Sequence, residues 1–285
     1  MIELADWPEL TDPVMIAAFE GWNDAGEAAT SALEHLSRIW GAVPFAALDP
    51  EEYYDFQVNR PSVSREPDGQ RRITWPTTRL LAAHVPALGR DVVLVDGIEP
   101  SMRWRSYVVE LLEAADRLGV QALVTVGALL ADVPHTRPIP ITGTSDHDLM
   151  LHRDGVERSQ YEGPTGIVGV LSDAAAQAEV PALSLWAAVP HYAGAGPSPK
   201  ATLALLRRIE ELLDVTIDLD DLPDQAYAWE HGVDELAEGD SEVGEYVRAL
   251  EEAKDTSELP EASGEAIALE FERYLRRRDD DPPKR

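Results

Sequence analysis

The chain has 285 residues, 44% of them hydrophobic, and its 53 Asp and Glu against 24 Lys and Arg give a formal net charge of −29. That size and composition bury a sizeable core, and the negative field disfavours nucleic acid and anionic membrane as partners. Zero cysteines exclude disulfides, thiolate metal sites and cysteine nucleophiles.

No apolar run reaches the roughly 18 residues of a bilayer span. Met1–Asp6 lacks the basic start and apolar core of a signal peptide, so a cytoplasmic protein is expected. In chain order, the apolar run from Val14 to Phe19 predicts a strand. The polar turn Glu20-Gly21-Trp22-Asn23-Asp24 follows, and then a helical pattern over 24–39. Further strands are expected at 42–48, 70–75, 80–85, 91–96, 121–127, 166–171 and 182–188. Val92–Val95 between two aspartates reads as a central strand buried on both faces. Helices are expected at 103–118, 172–179 and 198–213, the last with Ser198 as N-cap and Pro199 in its first turn. The segment 50–72 reads as an edge hairpin or lid turning at Asp68-Gly69, and 128–165 as a long, functional or interfacial connection.

The expected class is α/β: a three-layer, largely parallel or mixed central sheet with helices on both faces, spanning residues 1–213. Residues 214–278 read as an acidic helical extension with patterns over 222–236, 242–254 and 261–277, and 279–285 as a disordered tail. From Asp214 to Arg285, 23 Asp and Glu stand against eight Lys and Arg, so a quarter of the chain holds about half of the net charge.

Five polar segments fall at strand ends, where a doubly wound sheet gathers its ligands. They supply Glu20, Asn23 and Asp24; Glu99; His135, Arg137 and Thr142; Glu162 and Thr165; and His191. Glu20, Asp24, Glu99 and Glu162 suit an acid–base pair or an oxygen-ligand site, or else cap backbone amides at turns. His135 and His191 lack zinc-ligand spacing, which leaves a general base, an interfacial hydrogen bond or a structural histidine. Arg137 with Thr142 suits grip on a carboxylate or phosphate, or else loop rigidity. There is no Walker loop and no Gly-x-Ser-x-Gly elbow. No cofactor and no metal are expected.

The octapeptide Phe19–Gly26 resembles an element near the start of the proteasome assembly chaperone family, in its actinobacterial branch. The resemblance continues through Asp96–Trp104, Gly127–Pro138, Tyr161–Ile167 and Leu185–Tyr192. It implies a sheet domain similar to purine nucleoside phosphorylases, a helical C-terminal extension and trimeric assembly. Relatives escort proteasome α-subunits, some docking through a C-terminal hydrophobic-Tyr-any-residue tail; this sequence ends Pro283-Lys284-Arg285 instead. The function expected is a non-enzymatic, homo-oligomeric protein-binding or assembly factor, proteasome-related by resemblance. The alternative is a small-molecule hydrolase or phosphorylase-like enzyme acting on a nucleoside-like or amide substrate.

Overall fold

A computed structural model of the chain describes residues 1–153 and 155–258. In chain order the elements are β1 (Ile2–Glu3), β2 (Val14–Glu20), α1 (Ala28–Ile39), β3 (Val43–Ala47), α2 (Pro50–Tyr53), β4 (Ser62–Arg65), β5 (Arg71–Thr74), β6 (Arg79–Val85) and β7 (Arg90–Ile98). There follow α3 (Trp104–Leu118), β8 (Ala122–Ala131), β9 (Ile141–Thr144), α4 (Asp148–Leu151), β10 (Val156–Glu157), α5 (Ile167–Gln177), β11 (Ala182–Pro190), α6 (Pro199–Leu213), α7 (Leu222–Gly239) and α8 (Ser241–Glu258).

Nine strands form one mixed sheet in the order β1-β3-β6-β7-β2-β8-β11-β9-β10. The centre, β7-β2-β8-β11, is parallel, while β6 and β9 join it antiparallel. Strands buried on both faces lose the polar alternation of exposed strands. In β2 the alternation instead sorts apolar side chains between two cores. Ile16 and Ala18 face α1 and α6; Met15, Ala17 and Phe19 face α3 and α5. Three layers result. Each fully buried Leu, Ile or Phe adds about 1.5–3 kcal/mol to folding.

The segment over 50–72 splits. Its second half is the separate β4–β5 hairpin, turning through Gly69 in the left-handed region (φ 83°). Its first half is the short helix α2, whose Tyr53 enters the core.

One expected strand is corrected. Residues 166–171 do not extend; Ile167 begins α5 behind Gly166, and 172–179 form the same helix and its end. Ile167, Val168, Leu171 and Ala175 are buried together, a helical stripe that a short apolar run cannot distinguish from a strand. Helix α5 is thus the crossover between β8 and β11. The pattern over 261–277 and the tail 279–285 lie outside the described residues.

Candidate functional site

The carboxyl ends of β7, β2, β8 and β11 lie side by side, and the loops leaving them carry most of the polar candidates. At the end of β2 the chain turns through Gly21 (φ 125°), where a Cβ would lie 3.3 Å from that of Glu99. Asp24 does not sit at the first residue of α1. A short 3-10 turn, Ala25–Glu27, intervenes, with Gly26 and Glu27 left-handed. The Asp24 carboxylate reaches across it, accepting from the Ala29 amide at 2.8 Å, the Thr30 amide at 3.3 Å and the Thr30 hydroxyl. Burial raises the Asp24 pKa, and those hydrogen bonds oppose the rise. Glu20 is raised too, first by burial and then by the charges of Asp96, Asp24, Glu34 and Glu27.

Asn23, Glu99 and Gly166 meet on the α5 side. Glu99 accepts the Ile167 amide at 2.9 Å, so a carboxylate fills the amide-rich start of the helix. The Asn23 carbonyl accepts the Ala128 amide at 2.8 Å and ties the turn to β8. The Asn23 side chain is 1% exposed, its amide unpaired among the described residues. A Cβ on Gly166 would lie 2.0 Å from Asn23 Oδ1, so only glycine fits.

The second cluster belongs to the loops after β8 and β11. His135 is fully buried. Its backbone N–H donates to the Tyr192 hydroxyl at 2.7 Å, and that hydroxyl lies 2.9 Å from Nδ1. Nε2 lies 3.0 Å from Asp234 of α7. One arrangement satisfies every group: the tyrosine hydroxyl donates to Nδ1, and Nε2–H donates to the carboxylate. Burial pushes the Tyr192 phenol up to about 12, keeping it a donor. The His135 carbonyl accepts from Lys200, which also pairs with Glu230.

Arg137 holds α8 through a two-pronged pair with Asp255, at 2.9 and 2.8 Å, and reaches Glu251 at 3.2 Å. The hydrogen bond from Arg137 keeps the Asp255 carboxyl below its ordinary range. His191, half-exposed, lies 3.3 Å from Asp132, which also accepts the Tyr246 hydroxyl at 2.9 Å.

Glu20, Asn23, Asp24 and Glu99 therefore gather at one corner of the edge, with Thr165 immediately before Gly166. His135, Arg137 and His191 gather at the other. Thr142 stands apart, exposed on β9 opposite Trp186, and Glu162 is exposed in the loop before α5. Tyr192, Asp234, Tyr246, Glu251 and Asp255 were not among the sequence candidates. Glu251 and Asp255, four apart on one helix face, were the available signal. Ser198 does precede α6, yet its buried hydroxyl makes no cap bond. No group of His, Asp and Glu able to hold a metal occurs among the described residues, and no described helix is long and apolar enough to cross a membrane.

The family model described as PAC2 family matches residues 18–237. A PAC2 family protein from Streptomyces avermitilis is 61% identical, with a TM-score of 0.78 over 83% of this chain and 100% of its own. A proteasome-assembly chaperone homologue from Mycobacterium tuberculosis is 51% identical, with a TM-score of 0.75 over 82% and 99%. An archaeal proteasome activator from Pyrococcus furiosus shares the fold at 18% identity, with a TM-score of 0.66 over 83% and 99%. No curated protein matches the chain.

Proposed function

Because the chain belongs to the PAC2 family, we propose that it is a non-enzymatic protein-binding or assembly factor that works as a homo-oligomer, a trimer by resemblance, in the cytoplasm. Its partner is proteasome-related by the names of its relatives. In this reading residues 1–213 form the working domain and α7–α8 an appendage that stiffens its edge.

One observation carries the reading. Four of the groups that acid–base chemistry could use are committed to internal bonds: Asp24 to Ala29 and Thr30, Glu99 to Ile167, His135 to Tyr192 and Asp234, Arg137 to Asp255. The same edge also turns apolar surface outward, with Trp22 71% exposed. Exposed aromatic side chains rimmed by polar groups suit protein contact. The hydrolase or phosphorylase alternative has no comparable support.

The test is gel filtration with light scattering of the chain alone and mixed with purified proteasome α-subunits of the same host. A stable oligomer and a shared peak are expected. Trp22→Ala with Leu129→Ala should weaken the complex at least tenfold with the melting temperature unchanged. A monomer that comigrates with no subunit would overturn the reading.

A further inference from the structure

The hairpin β4–β5 pairs with no other described strand, and every residue of its two strands is exposed. The hydrogen bonds described for Ser62–Thr74 all run within it. Its base is fixed, because Phe56 packs on Trp75 with ring centroids 4.8 Å apart. A two-stranded hairpin alone is marginal in water and needs a third strand or a packing surface. Register gives this arm two unlike faces. Ser62 and Thr74 pair on one, with Ser64 and Arg72; Val63 and Ile73 pair on the other, with Arg65 and Arg71. The second face is apolar near the base, where Val63 and Ile73 are 55% and 56% exposed. It is basic near the tip, where Arg65 stands directly opposite Arg71. Facing like charges repel. The ion pair described within the hairpin joins Arg72 to Glu66, and neither Arg65 nor Arg71 pairs with a carboxylate among the described residues.

The chain itself carries the complementary surface. On α7, Tyr227 is 67% exposed, its ring edge-on to His231 with centroids 4.5 Å apart. Asp224, Glu235 and Glu238 are exposed on the same helix. At 3.6 residues per turn they lie within about a quarter-turn of Tyr227. None of the three has an ion-pair partner among the described residues, whereas Glu230 and Asp234 are committed to Lys200 and His135. From Leu222 to Glu258, 12 Asp and Glu stand against two Lys and Arg. Around the hairpin the balance reverses, with Arg60, Arg65, Arg71 and Arg72 against Glu66 and Asp68. No hydrogen bond or ion pair joins the arm to α7 within one molecule among the described residues, so the match is left for a neighbour.

We infer that the β4–β5 hairpin of one copy docks on the Tyr227 face of α7 in a second copy. Val63 and Ile73 meet the tyrosine, and Arg65 and Arg71 meet Asp224, Glu235 and Glu238. Arginine suits such a surface because it pairs with carboxylates and stacks on aromatic rings. Arm and acceptor are different surfaces of one chain. The contact is therefore head to tail, the kind that closes into a ring when the rotation between copies permits. The inference rests on the homo-oligomer proposed above and names the surfaces that build it.

The absence of native cysteine makes the test direct. Full-length chains carrying Ile73→Cys and full-length chains carrying Tyr227→Cys are co-expressed under different tags and oxidised in low salt. The control pairs Ile73→Cys with Gln121→Cys, exposed just before β8. The 73–227 disulfide yield should exceed the control at least fivefold and fall at least fivefold in 1 M salt. Arg65→Glu with Arg71→Glu should raise at least tenfold the concentration at which the oligomer half-dissociates. Adding Asp224→Arg, Glu235→Arg and Glu238→Arg to that chain should lower it again at least fivefold. Equal yields from both cysteine pairs, 73–73 bonds alone, or charge reversals that leave assembly unchanged overturn the docking. If circular dichroism shows that Tyr227→Cys misfolds, His231→Cys replaces it. A wild-type chain that light scattering finds monomeric sinks the homo-oligomer and the docking with it; an oligomer without the 73–227 bond sinks the docking alone.

Discussion

At the β2–α5 corner, Asp24 and Glu99 accept hydrogen bonds from backbone amides, and Asn23 packs against the backbone of Gly166. At the β8–β11 corner, His135 and Arg137 engage side chains 99 and 118 positions further along. Both corners stand on one sheet edge and use the same residue types. The first is closed by backbone geometry and has no slack. The second is a latch between the sheet and α7–α8, built of charge pairs that water, salt and pH can loosen. Polar residues gathered at a strand edge thus include some that shape the turn and some that hold an appendage.

Gly166→Ala should break the first corner hardest. Its Cβ would fall 2.0 Å from Asn23 Oδ1 and 2.9 Å from Glu99 Oε1, and neither side chain is free to retreat. A loss of about 3 kcal/mol or more is expected in urea unfolding; an unchanged midpoint would mean that the corner yields. His135→Ala should come next on the latch side. It removes a buried ring and strands its partners, costing about 2–4 kcal/mol. Hydrogen exchange should show α7 losing protection before the sheet does.

Arg137→Ala separates the corners more finely. Its side chain is partly exposed, and solvent-screened pairs of this kind contribute little to global stability. Global stability should barely change, while protease cleavage within α8 accelerates. The pH dependence follows from Asp255, whose folded pKa lies below its ordinary value of 3.8. The contribution of the pair is present above that value and is lost as pH falls through the folded one. Exchange from α8 in wild type and variant should therefore differ at pH 7 and converge near pH 2.

The smallest effect has the opposite sign. Glu20 holds its proton more tightly folded than unfolded, so its ionised form destabilises above the folded pKa and not below its ordinary 4.5. Glu20→Gln should raise the unfolding free energy at pH 7 by less than about 1 kcal/mol, because the carboxylate is exposed to solvent. The gain should vanish at pH 4 and below. A gain that persists there would place its origin in packing.

How legible the molecule was depended on the range of the interactions. The strand at 14–19, the turn after it, the helix that follows and the central strand at 91–96 are local patterns, and the fold keeps them. Residues 166–171 misled because an apolar run too short to show its period fits strand and helix alike; burial on one face of α5 decided the matter. The candidate residues did fall largely on one edge, since a parallel sheet delivers its strand ends there.

The sequence by itself determined the layered α/β class, the sites of most elements and the strand-end placement of most polar candidates, because periodicity and turn chemistry act over a few residues. Only the tertiary structure decided what those residues do. Whether His135 is a base or a bolt depends on Asp234, and Arg137 on Asp255; no local pattern marks charge partners a hundred positions apart.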